Sequence, residues 1–188
     1  MKFIISILLF IIAMNINAQN YDTCKIQKSE AINAQKIDKN ELICIAKNSE
    51  KPFTVFYTLT SWCAPCREHF PDILELNKTG KVNLYVVLVE SEKDKRIVNA
   101  INFIKSKSEN IKFGVLKDEF YGTNTGKRNK KFVTEITPKN NEVIDGYGKL
   151  ILVDKSGKIL YTTSWKDYEG DSKNYKKMLN NKILPLIK

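Results

Sequence analysis

Apolar residues gather in short unbroken runs, and between the runs they recur every three or four positions, a pattern that predicts strands separated by helices. The run Val82 to Val89, VNLYVVLV, is bounded by turn residues and suits a strand covered on both faces. Phe53 to Leu59, FTVFYTL, is rich in β-branched and aromatic residues and predicts a second buried strand; Ile111 to Leu116 predicts a third. Phe70, Ile73, Leu74 and Leu76 favour a helix ending near Gly80, with Pro71 a source of a kink. Ser91 and Asp94 have capping-box spacing ahead of Ile97, Ile101 and Ile104, which predicts another helix. Strand, helix and strand of this length imply a parallel, right-handed crossover.

The flanks are read in the same way. Asp38 and Glu41 form a second capping box before Leu42, Ile45 and Ala46, so a short helix is expected to about Lys47, closed by Pro52. Residues 19–37 are polar, with a weak helical pattern around Glu30 to Lys36. Lys149 to Asp154 and Lys158 to Thr163 flank a glycine-containing turn at Gly157 and read as a hairpin. Tyr175, Met178, Leu179 and Ile183 mark an amphipathic C-terminal helix. Residues 119–148 hold Gly122, Gly126, Pro138, Gly146, Gly148 and the basic knot Lys127-Arg128-Asn129-Lys130-Lys131, and read as a long loop with a solvated basic face.

Length and charge narrow the class. A chain of 188 residues suits one domain. Lys2, the apolar run Phe3 to Met14 and Ala18 before a cut predict a signal peptide over residues 1–18, because the run is short for a bilayer span. The product is then exported to the periplasm or another extracytoplasmic space, membrane-anchored if the leader stays uncleaved. Residues 19–50 are expected to be an N-terminal extension, and 51–188 the domain proper with an insert at about 119–148. The net charge is +10, but the 31 basic residues are spread among 21 acids, which points to a solvated surface and not to a nucleic-acid partner.

Four cysteines remain after the leader, and in an oxidising compartment they raise disulfide chemistry first. Cys63-Ala64-Pro65-Cys66 follows a predicted buried strand and opens a predicted helix. There, free N–H groups and the positive helix end stabilise a thiolate on Cys63, and Cys66 one turn on is the resolving thiol. Pro65 fits the first turn, where its missing N–H breaks no helix bond. A structural staple is disfavoured because so small a loop restricts the unfolded chain little. Zinc would need a second compact ligand pair, which the widely separated Cys24 and Cys44 do not form, so no metal is assigned. Haem attachment needs histidine at position 67, which is Arg67. Cys24 and Cys44 are open between a second, structural disulfide and a buried small residue at Cys44.

With Trp62-Cys63-Ala64-Pro65-Cys66, the following Arg67-Glu68-His69-Phe70-Pro71, and Ile151 to Ile159 (ILVDKSGKI), the chain resembles the thioredoxin-like disulfide oxidoreductases, most closely the exported TlpA/ResA-type branch. The resemblance covers about residues 51–188. It implies an α/β thioredoxin-like fold, a central mixed β-sheet flanked by helices. It also implies that Cys63 attacks a substrate disulfide, that Cys66 resolves the mixed disulfide, and that Trp62 shields the pair and offers an apolar surface to the partner. Two positions depart from the pattern. Gly148 stands where the family places a cis-proline that presents backbone to an extended substrate, and Tyr57 stands where thioredoxins carry a buried acid. His69 occupies the place of a ResA-type glutamate three residues after Cys66, which makes it the candidate proton acceptor.

The expectation is therefore an exported thiol-disulfide oxidoreductase, a reductase of protein disulfides recharged by a membrane electron donor. It needs no bound cofactor and works as a monomer. Its substrate-binding residues are Trp62, Pro65 and Gly148. The alternative is a thioredoxin-fold module that binds a partner or a metal through the altered loop and turns over little.

Overall fold

In the computed structural model, residues 21–187 are described; the leader expected at 1–18 lies outside them. No helix among the described residues is long and apolar enough to cross a membrane.

The three expected strands form the middle of a six-stranded sheet. They are β2 (Phe53–Leu59), β3 (Val82–Leu88) and β4 (Lys112–Leu116), all parallel, with Phe53 opposite Val82 and Leu59 opposite Leu88. The predicted hairpin, β5 (Leu150–Asp154) and β6 (Ile159–Thr162), adds antiparallel to β2 with Tyr57 opposite Leu150. Its turn closes because the Asp154 carboxylate accepts the N–H groups of Ser156 and Lys158, while Gly157 supplies a φ of 88°. A short edge strand, β1 (Gln35–Ile37), pairs parallel with β4, so the order is β1-β4-β3-β2-β5-β6. It replaces the weak helix read around Glu30 to Lys36. Three residues at an edge carry too little apolar pattern to register in sequence.

Side chains alternate across this sheet, and both faces are covered. Tyr57, Leu84, Val86 and Leu152 point to one side, against Phe70, Ile73 and Leu76 of a helix over 70–78, Ile101 and Ile104 of a helix over 97–107, and Tyr175, Met178 and Ile183 near the C-terminus. Phe56, Tyr85, Val87 and Ile151 point to the other, against Leu42 and Ile45 of the helix α1 (Lys39–Lys47) and Phe132 and Ile136. Residues 35–47 thus belong to the same sheet and core as the rest, although the sequence suggests an extension.

Several helices depart from expectation. Asp38 caps α1 with the capping box that its spacing predicts. The segment after the cysteines splits into α2 (Ala64–Glu68) and α3 (Phe70–Lys78), broken at His69, where Pro71 enters the first turn of α3. Ser91 does not cap the helix: its hydroxyl accepts the Lys93 N–H at 3.1 Å in a local turn and donates to Asp118 at 2.6 Å, and α4 (Ile97–Lys107) begins later, after Arg96. Half of the expected loop 119–148 is helical, as α5 (Asp118–Tyr121) and α6 (Thr125–Ile136). The basic knot is not simply solvated. Arg128 is fully buried, bonded to Asp118 at 2.5 Å and to the Leu116 carbonyl, and Asn129 is buried beside it. The C-terminal segment is helical in pieces, starting with α7 (Tyr175–Met178), and buries the predicted face.

Candidate active site

Strand β2 runs straight into the loop Thr60-Ser61-Trp62 and then into α2, so the cysteines stand at the carboxyl end of the parallel strands. Cys63 is the N-cap of α2, and its sulfur accepts the Cys66 N–H at 3.2 Å. The two sulfurs are joined, with Cα atoms 5.3 Å apart. Cys63 retains 7% exposure and Cys66 none, so an approaching group meets Cys63 first. Trp62, Ala64 and Pro65 are exposed around it, and the Trp62 ring meets Tyr147 edge-on at 4.7 Å.

Behind Cys66 lies Tyr57, whose hydroxyl donates to the Cys66 carbonyl at 3.0 Å. Burial pushes this phenol far above its ordinary range, so Tyr57 holds its proton and fixes backbone where an acid would titrate. Gly148 is brought to the same sulfur. A Cβ there would stand 3.2 Å from Cys66 Sγ and 3.4 Å from the Tyr57 hydroxyl, and its φ of 73° is one that glycine adopts without strain. The Thr58 backbone and side chain bond Lys149 at 2.9 and 2.8 Å and hold this segment against β2. Lys149 itself is buried, donates to the Thr163 carbonyl at 3.0 Å, and is pushed down to about 8 by burial.

His69 is 5% exposed and lies flat on Tyr175, with ring centroids 4.0 Å apart and planes within 7°. Its ring makes no hydrogen bond to Cys66, and Nε2 is buried without a partner. Burial lowers its pKa, although Glu68 and Asp72 pull it upward, so the ring is neutral at neutral pH.

Glu90 was not singled out by sequence reasoning. It follows β3, is fully buried, and accepts the Ser61 N–H at 3.0 Å on each oxygen as well as the Ser61 hydroxyl, thereby holding the loop ahead of Cys63. Burial raises its pKa, and the Ser61 bonds oppose that shift. The available signal was an acid directly after the most apolar run in the chain. Asn129 and Asp145 were also missed, concealed in the basic knot and the expected loop.

Away from the dithiol, Cys24 and Cys44 are bonded, with Cα atoms 5.9 Å apart, which ties a 3₁₀ turn at Tyr21–Cys24 to α1. Among the described residues no group of three or more His, Cys, Asp or Glu side chains is placed to hold a metal. The chemistry the site supports is exchange between the Cys63–Cys66 disulfide and an external thiol or disulfide.

Residues 31–179 match the family model described as Redoxin. No curated protein matches the chain. Among solved structures, the thioredoxin domain of a thiol-disulfide oxidoreductase from Bacteroides vulgatus is 19% identical, covering 61% of this chain and 71% of that one at a TM-score of 0.43. StoA from Bacillus subtilis is 16% identical, covering 69% and 84% at 0.42. A thioredoxin-like protein from Aeropyrum pernix is 13% identical, covering 72% and 80% at 0.47.

Proposed function

The chain belongs to the redoxin family, and we propose that within it this protein is an exported reductase of protein disulfides, of the TlpA/ResA type. The thiol-disulfide redox function itself follows from the bonded Cys63–Cys66 pair in a thioredoxin-like fold. The observation that carries the proposal is the asymmetry of that pair, Cys63 retaining 7% exposure and Cys66 none, packed against Tyr57 and Gly148.

In the reduced protein the Cys63 thiolate attacks one sulfur of a substrate disulfide, forming a mixed disulfide and releasing one substrate thiol. Cys66 then gives up its proton and attacks Cys63 Sγ, which releases the second substrate thiol and leaves the Cys63–Cys66 disulfide. Two electrons pass to the substrate. The Cys66 N–H aimed at Cys63 favours the thiolate, since a hydrogen bond to the charged form lowers a thiol pKa. His69, neutral and one helical turn from Cys66, is the proton acceptor in this scheme. Trp62 and Pro65 offer the substrate an apolar surface, and a membrane dithiol donor reduces the disulfide for the next cycle. The protein acts as a monomer outside the cytoplasm.

The test is the equilibrium reduction potential of the pair against defined dithiothreitol or glutathione ratios. A value of about −270 mV supports a reductase, and one of about −120 mV overturns that direction in favour of a disulfide donor.

A further inference from the structure

The loop facing Cys66 contains two glycines in the region that glycine favours, Gly146 with φ 148° and Gly148 with φ 73°. Such a backbone is intrinsically free, and freezing it costs more than freezing any other residue type. Yet it is tied at both ends. On the far side the Thr58 bonds hold Lys149 to β2. On the near side the tie comes from α6. Asn129, 1% exposed, donates from Nδ2 to Asp145 Oδ1 at 2.5 Å and to the Gly146 carbonyl at 3.2 Å. The same Asp145 oxygen accepts the Gly146 N–H at 2.8 Å. Between the ties, Tyr147 packs on Trp62.

We infer that Asn129 and Asp145 are positioning residues that hold Gly146–Gly148 in the conformation a polypeptide substrate docks against, so that a helix within residues 119–148 supplies the rigidity that glycine at 148 cannot. Proline in such a loop restricts the chain covalently; here the restriction comes from one buried amide and one carboxylate on different elements. Asn129 is buried because α6 packs its inner face on the sheet, with Phe132 and Ile136 in the same core. The tie is therefore anchored to the body of the fold. A small disulfide that needs only Cys63 has no use for it, whereas an extended chain lying across Gly148 does. The inference rests on the reading that protein disulfides are the substrate.

The test compares wild type, Asn129→Asp, and Asn129→Asp combined with Asp145→Asn. The single change sets a carboxylate against Asp145 and the Gly146 carbonyl. The double change restores a donor and an acceptor between positions 129 and 145. Insulin serves as the protein disulfide and hydroxyethyl disulfide as the small one. The single variant is expected to raise KM for insulin about tenfold, with the double variant within about threefold of wild type. Hydroxyethyl disulfide rates should stay within about twofold in all three. Equal insulin KM values, no recovery in the double variant, or a parallel fall with both substrates overturns the inference. If wild type leaves insulin intact, the reductase reading fails, and amide exchange then decides the inference alone. Faster exchange at Gly146–Gly148 in the single variant, slowed again in the double, supports the tie, and equal rates in all three overturn it.

Discussion

Gly148 lies directly against Cys66, so close that a Cβ at position 148 would stand 3.2 Å from the Cys66 sulfur. The two residues are 82 positions apart and meet because the strand after Gly148 pairs antiparallel with the strand before the cysteines. Gly148→Ala should destabilise the oxidised protein by about 1 to 2 kcal/mol, since alanine is strained at this φ. In the reduced protein the Cys66 thiol can turn away from the added methyl, so the disulfide form is penalised more. The potential of the pair should therefore rise by about 10 to 30 mV, readable by equilibration with glutathione. An unchanged or lowered potential would contradict this account of the contact.

Glu90 is a buried carboxylate whose pKa is raised by burial. Below the ordinary value of 4.5 both folded and unfolded chains carry the proton. As pH rises past it the unfolded chain releases the proton first, so this residue's contribution to stability falls until the folded carboxyl also ionises. Glu90→Gln keeps an acceptor for the Ser61 N–H and removes the charge. Relative to wild type, the variant should gain stability as pH rises above that value. It should also lower the Cys63 thiol pKa, because a neighbouring negative charge opposes a thiolate. Urea denaturation across pH and thiolate ultraviolet absorbance check the two effects, and a variant indistinguishable from wild type in both would sink the argument.

His69 carries the opposite sign in acid. With its folded pKa lowered below 6.5, the unfolded chain takes up a proton that the folded protein refuses, so stability falls as pH drops through this window. His69→Phe preserves the stack on Tyr175. The difference in stability between variant and wild type should shift towards the variant between neutral pH and about pH 5. If His69 also accepts the Cys66 proton, the mixed disulfide should persist longer in the variant at neutral pH, as stopped-flow quenching would reveal. Resolution at the wild-type rate would remove His69 from the chemistry and leave it a structural ring.

The Cys24–Cys44 bond closes a sequence separation of 20 and lies apart from the dithiol. Replacing both cysteines by serine should cost roughly 3 kcal/mol on the loop-entropy account, and leave the Cys63/Cys66 potential unchanged. Calorimetry and redox equilibration separate these outcomes. A shifted potential would mean that the second disulfide communicates with the first.

What the sequence determined by itself was local. The dithiol is legible because two cysteines three apart, after an apolar strand and with proline between them, meet their chemical requirements without any distant residue. The central strands and the first strand of the hairpin are legible because strands covered on both faces must be largely apolar, as VNLYVVLV and LILV are. The cap at Asp38 depends on neighbours three residues away and is equally local. Where a local signal failed, another arrangement used the group: the Ser91 oxygen accepts the Lys93 N–H in a turn and its hydroxyl donates to the distant Asp118, and the helix starts only after Arg96. Tertiary structure alone decided the rest. It buries Arg128 and Asn129 from a stretch that reads as a basic surface, because their partners at Asp118, Asp145 and Gly146 come from other elements. It places Glu90 under Ser61 and Gly148 against Cys66, and joins Cys24 to Cys44. Each is a contact between residues far apart in the chain, and composition and periodicity carry no information about which distant groups the packed sheet brings together.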